Sequence, residues 1–129
     1  PLEKTGNVDI VVSFEKMEIL RYLHYLKEDS VVILNTEQIN PPEVNMGVCG
    51  YPVDIINILR KSCHMISEIE AQTLARKAGS IKTVNTVLLG ALSKFMDVNS
   101  KVWIKVIQNS FPEKIAKMNI DAFQMGKNA

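Results

Sequence analysis

Between Val8 and Leu34 the chain sets two short β-branched runs on either side of one amphipathic stretch, and that order leaves few folds open. Val8-Asp9-Ile10-Val11-Val12-Ser13-Phe14 is short and apolar on both faces, as expected of a strand covered by helices on each side. From Glu15 to Leu26, the residues Ile19, Leu20, Leu23 and Leu26, with Tyr22, share one face at helical spacing, while Met17, Glu18, Arg21, His24 and Tyr25 take the other. Ser13 can cap that helix, and Glu15 and Glu18 suit its positive end. Lys27-Glu28-Asp29 reads as a turn into a second strand, Ser30–Leu34, which ends at Asn35-Thr36. Strand, helix and strand within about 30 residues is a βαβ unit, whose strands run parallel and whose crossover is right-handed. The expectation is an α/β protein, a single Rossmann-like domain over residues 1–129 with a mostly parallel sheet flanked by helices.

Helices dominate the second half. Glu37 to Pro52 is a long irregular stretch broken by Pro41-Pro42, Gly47, Gly50 and Tyr51-Pro52, and loops of that length in compact domains serve function or contact. Val53–Cys63 reads as a helix with Ile55, Ile56 and Leu59 inward, His64–Ile69 as a third strand, and Glu70–Ala78 as a short helix stopped by Gly79. Thr83–Met96 is the most hydrophobic helix: Val84, Val87, Leu88, Ala91, Leu92 and Phe95 repeat at three and four, and Gly90 and Ala91 would let another backbone come close. Ser100–Phe111 makes a helix ended by Pro112, and Glu113–Met125 another, with Gly126 read as its stop.

The chain opens on Pro1, without methionine, and is in a strand by Val8, which leads us to expect a truncated N-terminus and a lost upstream segment. Lys plus Arg number 15 against 14 for Asp plus Glu, and the lysines (Lys16, Lys61, Lys82, Lys94, Lys105, Lys114) are scattered, so no basic stripe invites nucleic acid. No apolar run approaches the roughly 20 residues of a membrane span. Cys49 and Cys63 are far apart and neither belongs to a C-x-x-C pair, so no iron–sulfur or zinc signature is present. Two reduced thiols in a cytoplasmic protein are expected, with a single disulfide as the alternative.

Chemistry-bearing patterns are sparse. There is no Gly-x-Gly-x-x-Gly and no Gly-Lys-Ser/Thr phosphate loop. His24 lies on a polar helix face, and His64 has only Glu68 as a nearby carboxylate in sequence. Ligands of doubly wound sheets sit beyond the carboxyl ends of the strands, which makes Ser13, Glu15, Asn35 and Thr36 candidate ligand-face residues. Asn85, in the first turn of the apolar helix, joins them as a cap or an interface residue. No catalytic residue and no metal ligand is assigned. Asn119 shares a side with Ile115, Ala122 and Phe123, so its amide is expected to pair with a backbone carbonyl. Six methionines point to core filling or an adaptable contact surface.

Several segments, taken in order, resemble the gamma-type subunit or domain of the 2-oxoacid:ferredoxin oxidoreductases. They are Val8-Asp9-Ile10-Val11-Val12-Ser13-Phe14-Glu15, Glu18-Ile19-Leu20-Arg21-Tyr22-Leu23, Val32-Ile33-Leu34-Asn35-Thr36, Ile39-Asn40-Pro41-Pro42, Tyr51-Pro52, Asn85-Thr86-Val87-Leu88-Leu89-Gly90-Ala91-Leu92 and Asn119-Ile120-Asp121-Ala122-Phe123-Gln124-Met125-Gly126. The Ile-x-Pro-Pro…Tyr-Pro loop looks most like the beta subunit of indolepyruvate ferredoxin oxidoreductase, with the pyruvate and 2-oxoglutarate branches close behind. The family's Gly-x-Gly-Gly-Gln-Gly turn and its Arg-Gly-Gly-type segment are absent from this sequence. The resemblance implies an accessory subunit of a cytoplasmic complex of anaerobic metabolism. Such a complex decarboxylates a 2-oxoacid oxidatively to acyl-coenzyme A and reduces ferredoxin. Thiamine diphosphate, Mg2+ and iron–sulfur clusters are then expected on a large partner subunit, with no cofactor bound by this chain and coenzyme A as a substrate contact. No nucleic acid and no membrane enter this reading; a homodimer stays open. So do two other readings, a free-standing nucleotide-binding Rossmann-like domain and a homo-oligomeric structural module.

Overall fold

The computed structural model describes residues 4–40 and 42–129. Pro1, on which the expectation of a truncated start was placed, and Pro41 of the Pro41-Pro42 pair lie outside the described residues. The chain divides into two compact units, one running through Glu68 and the other from Ile69 to Ala129.

The first unit carries strands β1 (Val8–Ser13), β2 (Leu26–Asn35) and β3 (Met65–Ile69), in the sheet order β1-β2-β3. The sheet is parallel, as the βαβ pattern requires. β2 is central, and Val31 to Asn35 are all buried. β1 was expected to be covered on both faces; it is an edge strand, half-buried over most of its length, with only Ser13 fully buried.

The crossover differs from expectation in kind and length. A 3₁₀ helix over Glu18–Tyr25 replaces an α-helix over residues 15–26. The return path explains it. Six residues of β1 advance about 20 Å. Eight residues in 3₁₀ geometry rise about 16 Å, against about 12 Å in α geometry. Leu26 already pairs with Val8 as the first residue of β2, so the helix must finish by Tyr25.

The expected turn at Lys27-Glu28-Asp29 lies inside β2. Val8 faces Leu26 but Ile10 faces Val31, so three extra residues bulge out of β2 between those pairs. Ser30 closes the bulge: its hydroxyl donates to the Val8 carbonyl at 2.6 Å and accepts the Lys27 amide at 2.9 Å. The Lys27 ammonium reaches the Asp9 carboxylate at 2.6 Å. Helix α1 (Pro42–Asn45) is a single turn within the long irregular stretch. Helix α2 (Ile55–Arg60) is shorter than expected: Ile55 and Leu59 are buried, while Val53 is 98% exposed and stays outside it. Ile19, Leu26, Val32, Leu34, Ile55, Leu59 and Cys63 form this unit's core. Cys63 and the exposed Cys49 are free thiols, which removes the disulfide alternative. Burial pushes the Cys63 thiol above its ordinary pKa.

The second unit is helical: α3 (Ala71–Lys77), a 3₁₀ turn at Ile81–Thr83, α4 (Val84–Ser93), α5 (Ser100–Ser110) and α6 (Glu113–Asn128). Gly79 ends α3 with φ +110°, a conformation only glycine adopts cheaply. Asn99 caps α5, accepting the Lys101 amide at 2.9 Å. α4 ends at Ser93, short of Met96, which is exposed. The Ser93 hydroxyl donates to the Gly90 carbonyl at 2.6 Å.

α4 and α6 pack backbone to backbone. A Cβ on Gly90 would stand 2.0 Å from the Phe123 carbonyl oxygen, and one on Gly126 would stand 1.8 Å from the Val87 carbonyl oxygen. Both distances are impossible, so each glycine is the space into which the other helix fits. The expected close approach at Gly90 is therefore present. Gly126 was expected to stop the last helix; it lies within α6, which continues to Asn128. Asn119 completes the seam. Its amide nitrogen donates to the Ile115 carbonyl at 2.9 Å, and its amide oxygen accepts the Thr86 hydroxyl at 2.6 Å. No methionine is fully buried: Met46, Met65 and Met96 are exposed, Met118 and Met125 are half-buried, and Met17, also half-buried, packs against the core of the first unit.

Candidate functional site at the carboxyl ends of the strands

β1 and β2 end side by side, Ser13 opposite Leu34, so the segments after them leave the sheet at one edge. The polar residues there are occupied with one another. Asn35 is fully buried, and its amide donates to the Phe14 carbonyl at 2.8 Å, joining the end of β2 to the turn after β1. Ser13 donates its hydroxyl to the Glu15 carbonyl at 2.8 Å; it does not cap the 3₁₀ helix.

Glu15 takes that role and more. One carboxylate oxygen accepts the backbone amides of Met17 at 2.9 Å and Glu18 at 3.0 Å, two of the donors a helix start leaves unpaired. The other accepts the Tyr51 hydroxyl at 2.5 Å and the Ile39 amide at 3.3 Å. A single carboxylate thus fixes the helix start and two points of the 37–52 stretch. The Lys16 amide adds a third tie, donating to the Glu37 carbonyl at 3.1 Å. Desolvation is the larger cause, and hydrogen bonding to Glu15 the next, of a Tyr51 hydroxyl held far above the ordinary tyrosine pKa.

Beside these residues opens a shallow cleft of about 330 Å³. Val11, Val12 and Ile19 form its apolar wall, Glu15 and Glu18 its polar one, and the exposed rings of Phe14 and Tyr22 its rim. No lysine or arginine lines it. Among the described residues no cluster of three or more His, Cys, Asp or Glu is placed to hold a metal ion.

The structure brings Ser13, Glu15 and Asn35 together, and Thr36 follows directly on β2. Asn85 belongs to the second unit, where it stands exposed on α4. Tyr51 was not singled out as a site residue, and the aromatic rim was missed altogether. A Tyr-Pro in an irregular stretch carries no local sign that its hydroxyl will reach a carboxylate 36 residues away. His64, likewise, finds its carboxylate across space, with Nε2 3.0 Å from Glu28. His24 is exposed, its ring 4.0 Å from that of Tyr25.

A parallel α/β sheet with a crossover and polar loops at its carboxyl edge gives the first unit a Rossmann-like architecture. Residues 2–129 match the pyruvate ferredoxin/flavodoxin oxidoreductase family, and the chain belongs to that family. It is 35% identical over 132 residues to the indolepyruvate oxidoreductase subunit IorB of Archaeoglobus fulgidus, covering 99% of this chain and 66% of that protein. The IorB subunit of Thermococcus kodakarensis is 36% identical over 96% of this chain and 64% of its own length. The chain thus spans just under two thirds of these relatives. The crystal structure of pyruvate oxidoreductase subunit PORC from Thermotoga maritima superimposes with a TM-score of 0.66 at 24% identity, over 95% of this chain and 64% of that one, a likeness of fold. No helix of the described residues is long and apolar enough to cross a membrane.

Proposed function

We propose that this chain acts as an accessory subunit, or part of one, in an indolepyruvate-type 2-oxoacid ferredoxin oxidoreductase, with residues 1–129 working as a single Rossmann-like domain. The identity to IorB subunits along nearly the whole chain carries this reading. In it, the reacting groups sit on a companion polypeptide that holds thiamine diphosphate, Mg2+ and iron–sulfur clusters. Ferredoxin is reduced through that companion, in the cytoplasm. Ser13, Glu15 and Asn35 act as positioning residues: they shape the 37–52 stretch and touch no reacting atom. Thr36 lies at the same edge. The absence of a cation from the cleft argues against a coenzyme A pyrophosphate seated there.

The test is to express the full-length polypeptide beside the large subunit and measure arylpyruvate-dependent viologen reduction in the presence of coenzyme A. A stable complex that prefers arylpyruvates over pyruvate and 2-oxoglutarate is the expected result. Preference for pyruvate would move the chain to the pyruvate branch. A chain that forms no complex yet binds a nucleotide would replace the proposal with the free-standing reading.

A further inference from the structure

Helix α5 is apolar on the side that faces its own unit and again on the side that faces solvent. Inward, Ile107 is buried and the Trp103 ring stacks on Phe123 at 5.9 Å between centroids. Outward, Val102 is 52% exposed and Val106 58%, and Val98, just before the cap, is also exposed. Valine is a mediocre helix former, so two solvent-facing valines one turn apart gain nothing from local propensity. Each follows an exposed lysine, Lys101 before Val102 and Lys105 before Val106. The pairs repeat at four residues, so valines and lysines form two stripes running side by side, about 100° apart around the helix. α5 contains no Asp or Glu to neutralise the lysine stripe.

We infer that this outer face of α5 docks an amphipathic segment of the companion subunit, one whose apolar stripe covers Val102 and Val106 and whose flanking carboxylates meet Lys101 and Lys105. The inference rests on the accessory-subunit reading above. Charge selects the occupant. A second copy packed antiparallel across a two-fold axis on the valine stripe would set the two lysine stripes side by side with no acid on either helix, an unfavourable like-charge juxtaposition. A partner edged with Asp or Glu turns the same stripe into attraction, and helix-on-helix docking is the mode a repeat of four residues serves. The formal net charge of the chain is only +1, so the stripe is a local feature and not a consequence of a generally basic protein.

The experiment uses the full-length polypeptide co-expressed with its large subunit. V102E/V106E and, separately, K101E/K105E are compared with wild type for complex affinity at two salt concentrations; circular dichroism and thermal melting check the free variants. All four side chains are exposed, so both variants should melt within a few degrees of wild type. V102E/V106E should weaken the complex at least about tenfold. K101E/K105E should weaken it less at high salt than at low and flatten its salt dependence. Unchanged affinity in both variants, with wild type assembling normally, overturns the inference and leaves the accessory role standing. Failure of wild type itself to assemble overturns that role and the inference with it. Loss of a wild-type homodimer in V102E/V106E, with the heteromeric complex intact, assigns the face to a second copy and overturns the inference.

Discussion

In the second unit two backbones meet with nothing between them: Gly90 sits against the Phe123 carbonyl and Gly126 against the Val87 carbonyl. In the first unit the converging segments are held in place chiefly by one carboxylate, Glu15, which accepts four hydrogen bonds, two from the helix start and two from the 37–52 stretch. The first arrangement is steric and has no slack. The second is polar and graded, since each bond can be lost without a clash. The segments containing these residues carry the family resemblance, and the difference says what each contributes. The glycine-bearing segments are requirements of packing. The polar edge of the sheet shapes a surface.

Gly90→Ala or Gly126→Ala should therefore have the largest effect on stability. No rotamer moves a Cβ, so α4 and α6 must separate, at a cost of more than about 3 kcal/mol. Chemical denaturation of either variant measures this; a loss under about 1 kcal/mol would mean the two helices have room to adjust, and the steric side of the comparison would fail. Asn119→Leu comes next. It leaves the Thr86 hydroxyl and the Ile115 carbonyl without this partner at the same seam, for about 1–3 kcal/mol.

At the polar edge the effects are smaller and local. Glu15→Gln keeps the shape but replaces an anionic acceptor, and should cost about 1–2 kcal/mol. Its signature is faster amide exchange at Glu18 and Ile39, with the α4–α6 seam unchanged. Equal loosening in both units would show that they are not held by separate means. Tyr51→Phe adds a pH test. The folded state holds the tyrosine proton more tightly than the unfolded chain does, so this contribution is fully present below the ordinary tyrosine pKa of 10.0 and is lost as pH rises above it. Wild type should lose stability more steeply than Tyr51→Phe above that pH, and parallel profiles would remove Glu15–Tyr51 as a pH-linked contact.

What was legible in the sequence follows the same division. Alternation and periodicity are local, so the three strands, the crossover and the helices could be anticipated, as could the close approach at Gly90 and the carbonyl partner of Asn119. Gly126 was misread because a glycine near a helix end looks alike whether it stops the helix or admits a neighbour; only the position of Val87 decides. The 3₁₀ crossover was misread because side-chain pattern reports which residues point inward, not how far the chain must travel. The Glu15–Tyr51 and Glu28–His64 contacts each span 36 residues, and no spacing rule reaches that far.

The smallest predicted effect separates two asparagines that look equivalent in sequence. Asn85 lies five residues before Gly90 and Asn119 seven before Gly126, each at the head of a glycine-bearing segment. Asn119 is buried and spans the seam, whereas Asn85 is exposed in the first turn of α4, whose N-cap residue, Thr83, donates its hydroxyl back to the Ser80 carbonyl at 2.8 Å and caps no α4 amide. Asparagine is a poorer helix former than alanine, so Asn85→Ala should leave stability unchanged or raise it by up to about 0.5 kcal/mol, opposite in sign to the change at Asn119. Denaturation of the free chain reads that sign directly. A fall of 1 kcal/mol or more would place Asn85 in the packing of its unit. If free-chain stability holds but assembly with the large subunit weakens, Asn85 belongs to a contact surface, and the second unit would then present more than its α5 face to a partner.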